Sequence, residues 1–324
     1  MKKSIVLVLL LAILFGFTHV VRAQSSLLFT VSPARQQITA NPGEEFTTSA
    51  TFYNQSKTPV AGLIKVSDFI VGDEKGTPNL VENSSLSKYS ASAWIGLPFE
   101  RISIAANDKV VVLATLKIPK DARPGGRYAA IYFEPINGSQ PVGKAGASIT
   151  PRIVSLLYIR VAGPISEYAY ISNMFAQSFH EYGPIDVTAK IMNKGDYHIR
   201  PQGAFTLFNP LGQQIEQSKL KGANIFPETQ YAFGTSIGQK WMMGKYKITL
   251  GAQYGSKEQF MSQTIFVWVF PWRVVTIVIL SIIILTTLGR YYYVNFIKKE
   301  FALENELSKE KGEIEKLKKR LDDK

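Results

Sequence analysis

NPGEEFTTSATFYNQSKTPVAGLIKVSD, residues 41–68, carries the pattern from which the fold of this chain follows. Asn41-Pro42-Gly43 is a turn signal, after which Phe46, Thr48, Ala50 and Phe52 alternate with polar residues. The next turn is at Asn54-Gln55-Ser56, and Val60, Gly62, Ile64, Val66 and Asp68 resume the period of two. Successive side chains of a strand point to opposite faces, so this alternation sets one face on a core and one in water. Val110, Val112, Ala114, Leu116 and Ile118 repeat it, and more turns fall at Lys75-Gly76-Thr77-Pro78, Arg123-Pro124-Gly125-Gly126 and Asn137-Gly138. A long apolar strand over 149–161 ends in the breaker Val161-Ala162-Gly163-Pro164. Beyond it Ile185, Val187, Ala189 and Ile191 alternate up to Asn193-Lys194-Gly195-Asp196. Strands at 204–208, 245–254 and 259–270 follow, the first closed by Asn209-Pro210-Leu211-Gly212. No sustained helical period interrupts them. The pattern predicts an all-β region of two tandem immunoglobulin-like β-sandwiches, over 27–162 and 165–270.

The two ends of the chain read differently. FVWVFPWR at 266–273 precedes an apolar run over 274–288, then Arg290, Tyr291, Tyr292, Tyr293, Lys298-Lys299 and a charged tail. Trp and Tyr favour the headgroup level, so Trp268 and Trp272 mark an outer interface and Arg290 with the three tyrosines an inner one. The order predicts one transmembrane α-helix over 272–293 and a short cytoplasmic helix over 297–324. Lys298, Lys299, Lys316, Lys318, Lys319 and Arg320 keep the C-terminus inside, and Arg273 snorkels to the outer headgroups. Leu303, Leu307, Ile314, Leu317 and Leu321 fit a heptad whose seam also holds Glu300 and Glu310, a weak basis for self-association. Met1-Lys2-Lys3, an apolar run over 5–17 and Val21-Arg22-Ala23 predict a signal peptide over 1–23. The expectation is a cell-membrane protein, single-pass, with an extracellular ectodomain. It has no cysteine, so the sandwiches are held by their apolar cores alone, which suits a bacterial envelope.

The net charge of +12 comes from positive residues that are scattered or placed beside the membrane, and no nucleic-acid-binding motif accompanies them. Such a balance suits an anionic cell wall or anionic lipid headgroups. The search for chemistry is mostly negative. Of three histidines, His19 belongs to the signal peptide, while His180 and His198 lack a metal-ligand spacing. There is no nucleophile elbow, no HExxH and no phosphate-cradling loop. Asp68 and Glu134 lie in or beside strands, where either could form half of a glycosidase pair. His198 could contact a ligand or serve as a hairpin residue bonded to backbone. The expectation is a non-enzyme with no catalytic residue, metal or cofactor. Arg123, Arg127 and Tyr128 join two guanidinium groups to an aromatic ring, the types that contact wall carboxylates and sugar faces, and are the candidate ligand contacts. Asn54, Asn83 and Asn137 begin Asn-x-Ser sequons in turn-rich segments.

Pro42-Gly43, Asn54, Trp94-Ile95 and Pro124-Gly125-Gly126 with Tyr128 make residues 27–161 resemble the peptidoglycan-binding N-terminal domain of WxL-interacting proteins. The layout of signal peptide, two sandwiches, one span and basic tail is similar too, and a similar grammar occurs in pilus chaperones. The resemblance implies wall attachment by the first domain and partner binding by the second. The expected partners are peptidoglycan or another anionic wall polymer, another surface protein, and the bilayer. The alternative is a chaperone or assembly factor that captures strands of exported subunits by β-augmentation.

Overall fold

The computed structural model describes residues 29–81, 87–136, 140–142, 147–149 and 151–322. The expected signal peptide and the sequons at Asn83 and Asn137 lie outside the described residues. The chain forms two compact units. The first takes the chain up to Gly72, Thr77–Ser166 and Gly195–His198; the second takes Asp73–Gly76, Glu167–Lys194 and the chain from Ile199 onward.

Twelve strands of the first unit are described: β1 (Phe29–Ser32), β2 (Arg35–Ala40), β3 (Glu45–Asn54), β4 (Val60–Val71), β5 (Pro78–Val81), β6 (Ile95–Gly96), β7 (Arg101–Ile104), β8 (Asp108–Lys117), β9 (Gly125–Pro135), β10 (Gln140–Val142), β11 (Ala147–Ile149) and β12 (Ile153–Val161). One sheet runs β1-β3-β8-β6. The facing sheet runs β2-β12-β9-β4-β5, with β7 on the free side of β4, and β10 and β11 pair with each other. β2 lies parallel to β12, whereas β4, β9 and β12 are antiparallel neighbours. The alternating apolar residues meet between the sheets, where Phe52, Val112, Leu116, Ile64, Phe133 and Leu157 are fully buried. The strand expected over 149–161 is divided: β11 ends at Ile149 and β12 starts at Ile153, on either side of Pro151, which has no N–H to give to a ladder.

The turn after β3 is fastened by a buried side chain. Asn54 donates from Nδ2 to the carbonyls of Thr58 (2.8 Å), Ile104 (3.1 Å) and Ala105 (2.9 Å). Its Oδ1 accepts the N–H and the hydroxyl of Ser56, so each polar atom is satisfied away from water.

The second unit has β13 (Ala169–Ala176), β14 (Phe179–His180), β15 (Ile185–Asn193), β16 (Gln202–Phe208), β17 (Gln214–Lys219), β18 (Gln230–Ile237), β19 (Gly244–Tyr254) and β20 (Gln259–Val269). Its sheets run β13-β15-β18 and β14-β20-β19-β16-β17. Ile185, Ile191, Phe205, Leu207, Ile248 and Val267 fill the core. Asn193, buried at the end of β15, donates to Ile225 O at 2.9 Å. Both units are thus immunoglobulin-like sandwiches.

α1 (Trp272–Asp322) follows β20 after two residues. The span and the tail, expected as two helices, are one helix of 51 residues. No proline or glycine stands between Tyr293 and Lys298, and helix formers dominate beyond it, so the ladder has no reason to stop. At 1.5 Å per residue the helix is roughly 75 Å long.

Candidate functional site

The structure puts the three candidate ligand contacts in different places. Arg123 is exposed on the turn before β9. Arg127 is buried, with Nη1 donating to Gly126 O (2.9 Å) and Nη2 to Arg123 O (3.0 Å), and its guanidinium lies 5.7 Å from the Trp94 ring centroid. Burial lowers its pKa. Tyr128 points to the opposite face of the sheet and is only 3% exposed. Phe69, Tyr89, Tyr158 and His198 pack around its ring with centroids 5.8–6.4 Å away. Its hydroxyl accepts the His198 backbone N–H at 2.9 Å and lies 3.3 Å from His198 Nδ1. Burial pushes the phenol well above its ordinary value. Arg127 and Tyr128 therefore hold the first unit together from within and share no solvent-facing site with Arg123.

His198 is buried against Tyr197 and Tyr158, with ring centroids 4.1 and 5.1 Å away. Burial, reinforced by the Arg35 and Arg160 guanidinium groups, pushes its imidazole down to about 4. It is neutral at pH 7, and its Nδ1 shares a hydrogen bond with the Tyr128 hydroxyl. Sequence pattern did not reveal this pair, because its members stand 70 residues apart.

Asp68 and Glu134 do not converge. Asp68 pairs in register with the core-facing Ala129, and Glu134 with Leu63 on the other face of the sheet. The Asp68 carboxylate accepts the N–H groups of Ala91 and Ser92 and the Ser92 hydroxyl, fastening a one-turn 3-10 helix at Ser92–Trp94. Glu134 is ion-paired with Lys65 (2.6 Å) and Arg152 (3.1 Å). These bonds hold its carboxyl below, and the Lys65 ammonium above, their ordinary values. Among the described residues no group of three or more His, Cys, Asp or Glu side chains could hold a metal ion.

This ionic cluster borders an open groove. β7 covers the outer edge of β4 at Val60–Leu63 and β5 covers it at Asp68–Val71. Between them, Lys65, Val66 and Ser67 have no strand partner on that edge among the described residues. Ile64 N–H reaches out to Glu100 O at 2.8 Å, and by the period of two Val66 points its N–H and C=O the same way. The gap opens on a groove of about 650 Å³ lined by β4, by Ile95, Leu97 and Glu100 opposite, and by Tyr132 and Arg152. Tyr132 is 6% exposed, with the Arg152 guanidinium 5.4 Å above its ring. The groove offers a strand edge, apolar walls and two cations held by one carboxylate. Among the described residues another open edge is Asp108–Ala114 of β8, since β6 pairs only with Thr115 and Leu116; Val111 and Leu113 are exposed along it.

The expected membrane anchors lie at the junction of β20 and α1. Trp268 is exposed on β20, between Lys245 of β19 and Phe179 of β14. Trp272 begins α1, and Arg290, Tyr291, Tyr292 and Tyr293 lie along it, exposed. From Trp272 the helix is long and apolar enough to cross a membrane, with a mean hydropathy of 2.1 in its apolar window. Thr276, Ser281, Thr286 and Thr287 donate their hydroxyls to carbonyls one turn back, which leaves no side-chain donor of these residues open to lipid. Arg273 pairs with Glu181 at 3.4 Å.

No protein-family model matches this chain, and no curated protein does. Solved structures resemble its layout. The class 5 fimbriae chaperone CfaA has 15% identity and a TM-score of 0.38, covering 73% of this chain and 98% of its own. The chaperone–tip subunit pre-assembly complex of archaic Csu pili from Acinetobacter baumannii has 13% identity and a TM-score of 0.37, with coverage of 74% and 97%. The Salmonella enterica SafA pilin complex with the SafB chaperone has 9% identity and a TM-score of 0.35, with coverage of 75% and 99%. At these identities and TM-scores the likeness carries no functional argument.

Proposed function

We propose that this is a single-pass membrane-anchored surface protein of a bacterial envelope, whose first unit captures an extended segment of an exported or surface polypeptide. The ectodomain lies outside, and the lysine-rich end of α1 lies inside by the positive-inside rule. The observation that supports capture is the open edge of β4 at Lys65–Ser67 beside its groove. An extended peptide laid there gains main-chain hydrogen bonds from Val66 and places alternate side chains against Ile95 and Leu97. Lys65 and Arg152 suit acidic side chains on the incoming segment. Asp68 and Glu134 stand on opposite faces, which favours binding over hydrolysis.

Attachment to peptidoglycan, which the resemblance to WxL-interacting proteins implies, fits the same address and the +12 net charge. The groove favours a polypeptide, because a sugar ring stacks on an open aromatic face and Tyr132 lies buried under Arg152.

Val66→Pro tests the reading. It deletes an outward-pointing N–H and no bond to β9 but trims the packing of Val66 against the core, so the variant should still unfold cooperatively, at a somewhat lower melting temperature. A polypeptide that co-purifies with the full-length wild type from envelopes should then be lost. Retention of that polypeptide by the variant, or binding of purified sacculi in its place, would contradict strand capture.

A further inference from the structure

The second unit displays large apolar side chains at the tips of loops that share one end of the sandwich. Register pairs Gly244 at the start of β19 with Val269 at the end of β20, so the loop 238–243 leaves the unit where the chain enters α1. The turn at 209–212 lies at the same end, since a Cβ on Gly244 would meet Pro210 at 2.7 Å. The tips carry Leu211 (84% exposed), Trp241 (64%) and Met243 (63%). A chain of contacts links Trp241 to the helix start. Trp241 packs edge-on against Tyr182 with centroids 5.5 Å apart, and the neighbouring Glu181 holds Arg273. Phe270 N–H also donates to His180 O at 2.9 Å.

Cations border these side chains. Lys240 lies 5.9 Å from the Trp241 ring, Lys245 4.6 Å from Phe266 and Arg273 5.4 Å from Trp272. At the opposite end, the β19–β20 turn reads Gly255-Ser256-Lys257-Glu258. Large, mostly exposed apolar side chains on separate tips, bordered by positive charge, match a layer of anionic headgroups over acyl chains. The connection of two residues to α1 keeps them at that level.

We propose that the end of the second unit formed by the 209–212 turn and the 238–243 loop is a membrane-surface contact, dipping Leu211, Trp241 and Met243 into the outer leaflet. This rests on the reading of α1 as a span. The unit then stands on the bilayer at several points and does not swing on a single tether.

The chain has no cysteine, so single cysteines can report depth. Leu211→Cys, Met243→Cys, Lys257→Cys and Leu285→Cys, each in the full-length protein, would carry an environment-sensitive fluorophore. The host vesicles would mix phosphatidylcholine and phosphatidylglycerol, with nitroxide lipids as quenchers. Headgroup-level nitroxides should quench Leu211→Cys and Met243→Cys at least about twofold more than Lys257→Cys, as interfacial residues require, while Leu285→Cys is quenched from the bilayer centre. Quenching of Leu285→Cys alone would overturn the inference and leave the span standing. No quenching of Leu285→Cys would overturn both. Blue-shifted but unquenched Met243→Cys would place the loop in a protein contact and also overturn it.

Discussion

The two units build the same kind of sandwich and leave their apolar surface open in different places. The first opens a sheet edge: the gap in β4 beside its groove. The second exposes Leu211, Trp241 and Met243 at loop tips. A strand edge satisfies main-chain donors and acceptors and so suits a polypeptide. Isolated apolar tips offer only desolvation and suit a lipid surface. On the proposed reading, one architecture, with an asparagine fastening a turn in each unit, offers two kinds of surface without altering its core.

The largest effects should come from what the units share. Phe52→Ala and Phe205→Ala each remove a fully buried ring from one core. Each should cost about 3–5 kcal/mol in denaturant unfolding of the purified full chain. A cost below about 1 kcal/mol in either unit would break the equivalence of the two cores.

Next come the asparagines. Asn54→Ala leaves three carbonyls and the Ser56 donors without their buried partner, and about 2–3 kcal/mol should be lost. Asn193→Ala should be destabilising in the same unfolding assay. A neutral Asn193→Ala would show that the second unit does not depend on its turn in the way the first does.

His198 separates the units by pH. Its folded pKa of about 4 lies below the ordinary value near 6.5. The unfolded chain therefore binds the extra proton first, and stability falls as pH drops from about 6.5 to about 4, by up to about 3 kcal/mol. Above pH 7 the group contributes no slope. His198→Phe should remove this acid loss from the first unit, as read by the difference in unfolding free energy between wild type and variant across that window. An unchanged slope would mean that the imidazole is not held neutral by its aromatic surroundings.

Much of the architecture was legible because strands announce themselves locally. Phe46, Thr48, Ala50 and Phe52 alternate, Asn54 marks the turn, and 274–288 is a predominantly apolar run. What escaped depends on registers between distant strands. Arg127 and Tyr128 looked like surface groups because they follow a Gly-Gly turn, yet β9 is covered on both faces, and one cover is His198 from much later in the chain. The Lys65–Glu134–Arg152 cluster comes from two strands and the residue before a third, so no single stretch could show it. Leu211, Trp241 and Met243 are lone apolar residues in otherwise ordinary loops. Only the pairing of Gly244 with Val269, and the packing of Gly244 against Pro210, brings them to one end.

The most direct test of strand capture compares two open edges of the first unit. A photo-crosslinking residue at Leu97, on the groove wall, and another at Val111, on the edge of β8, would each be placed in the full-length protein and activated in intact cells. Leu97 should yield a crosslinked polypeptide that disappears when Val66→Pro is added, and Val111 should yield none. A crosslink at Val111 in its place, or wall glycan as the species captured at Leu97, would contradict binding at the open edge of β4.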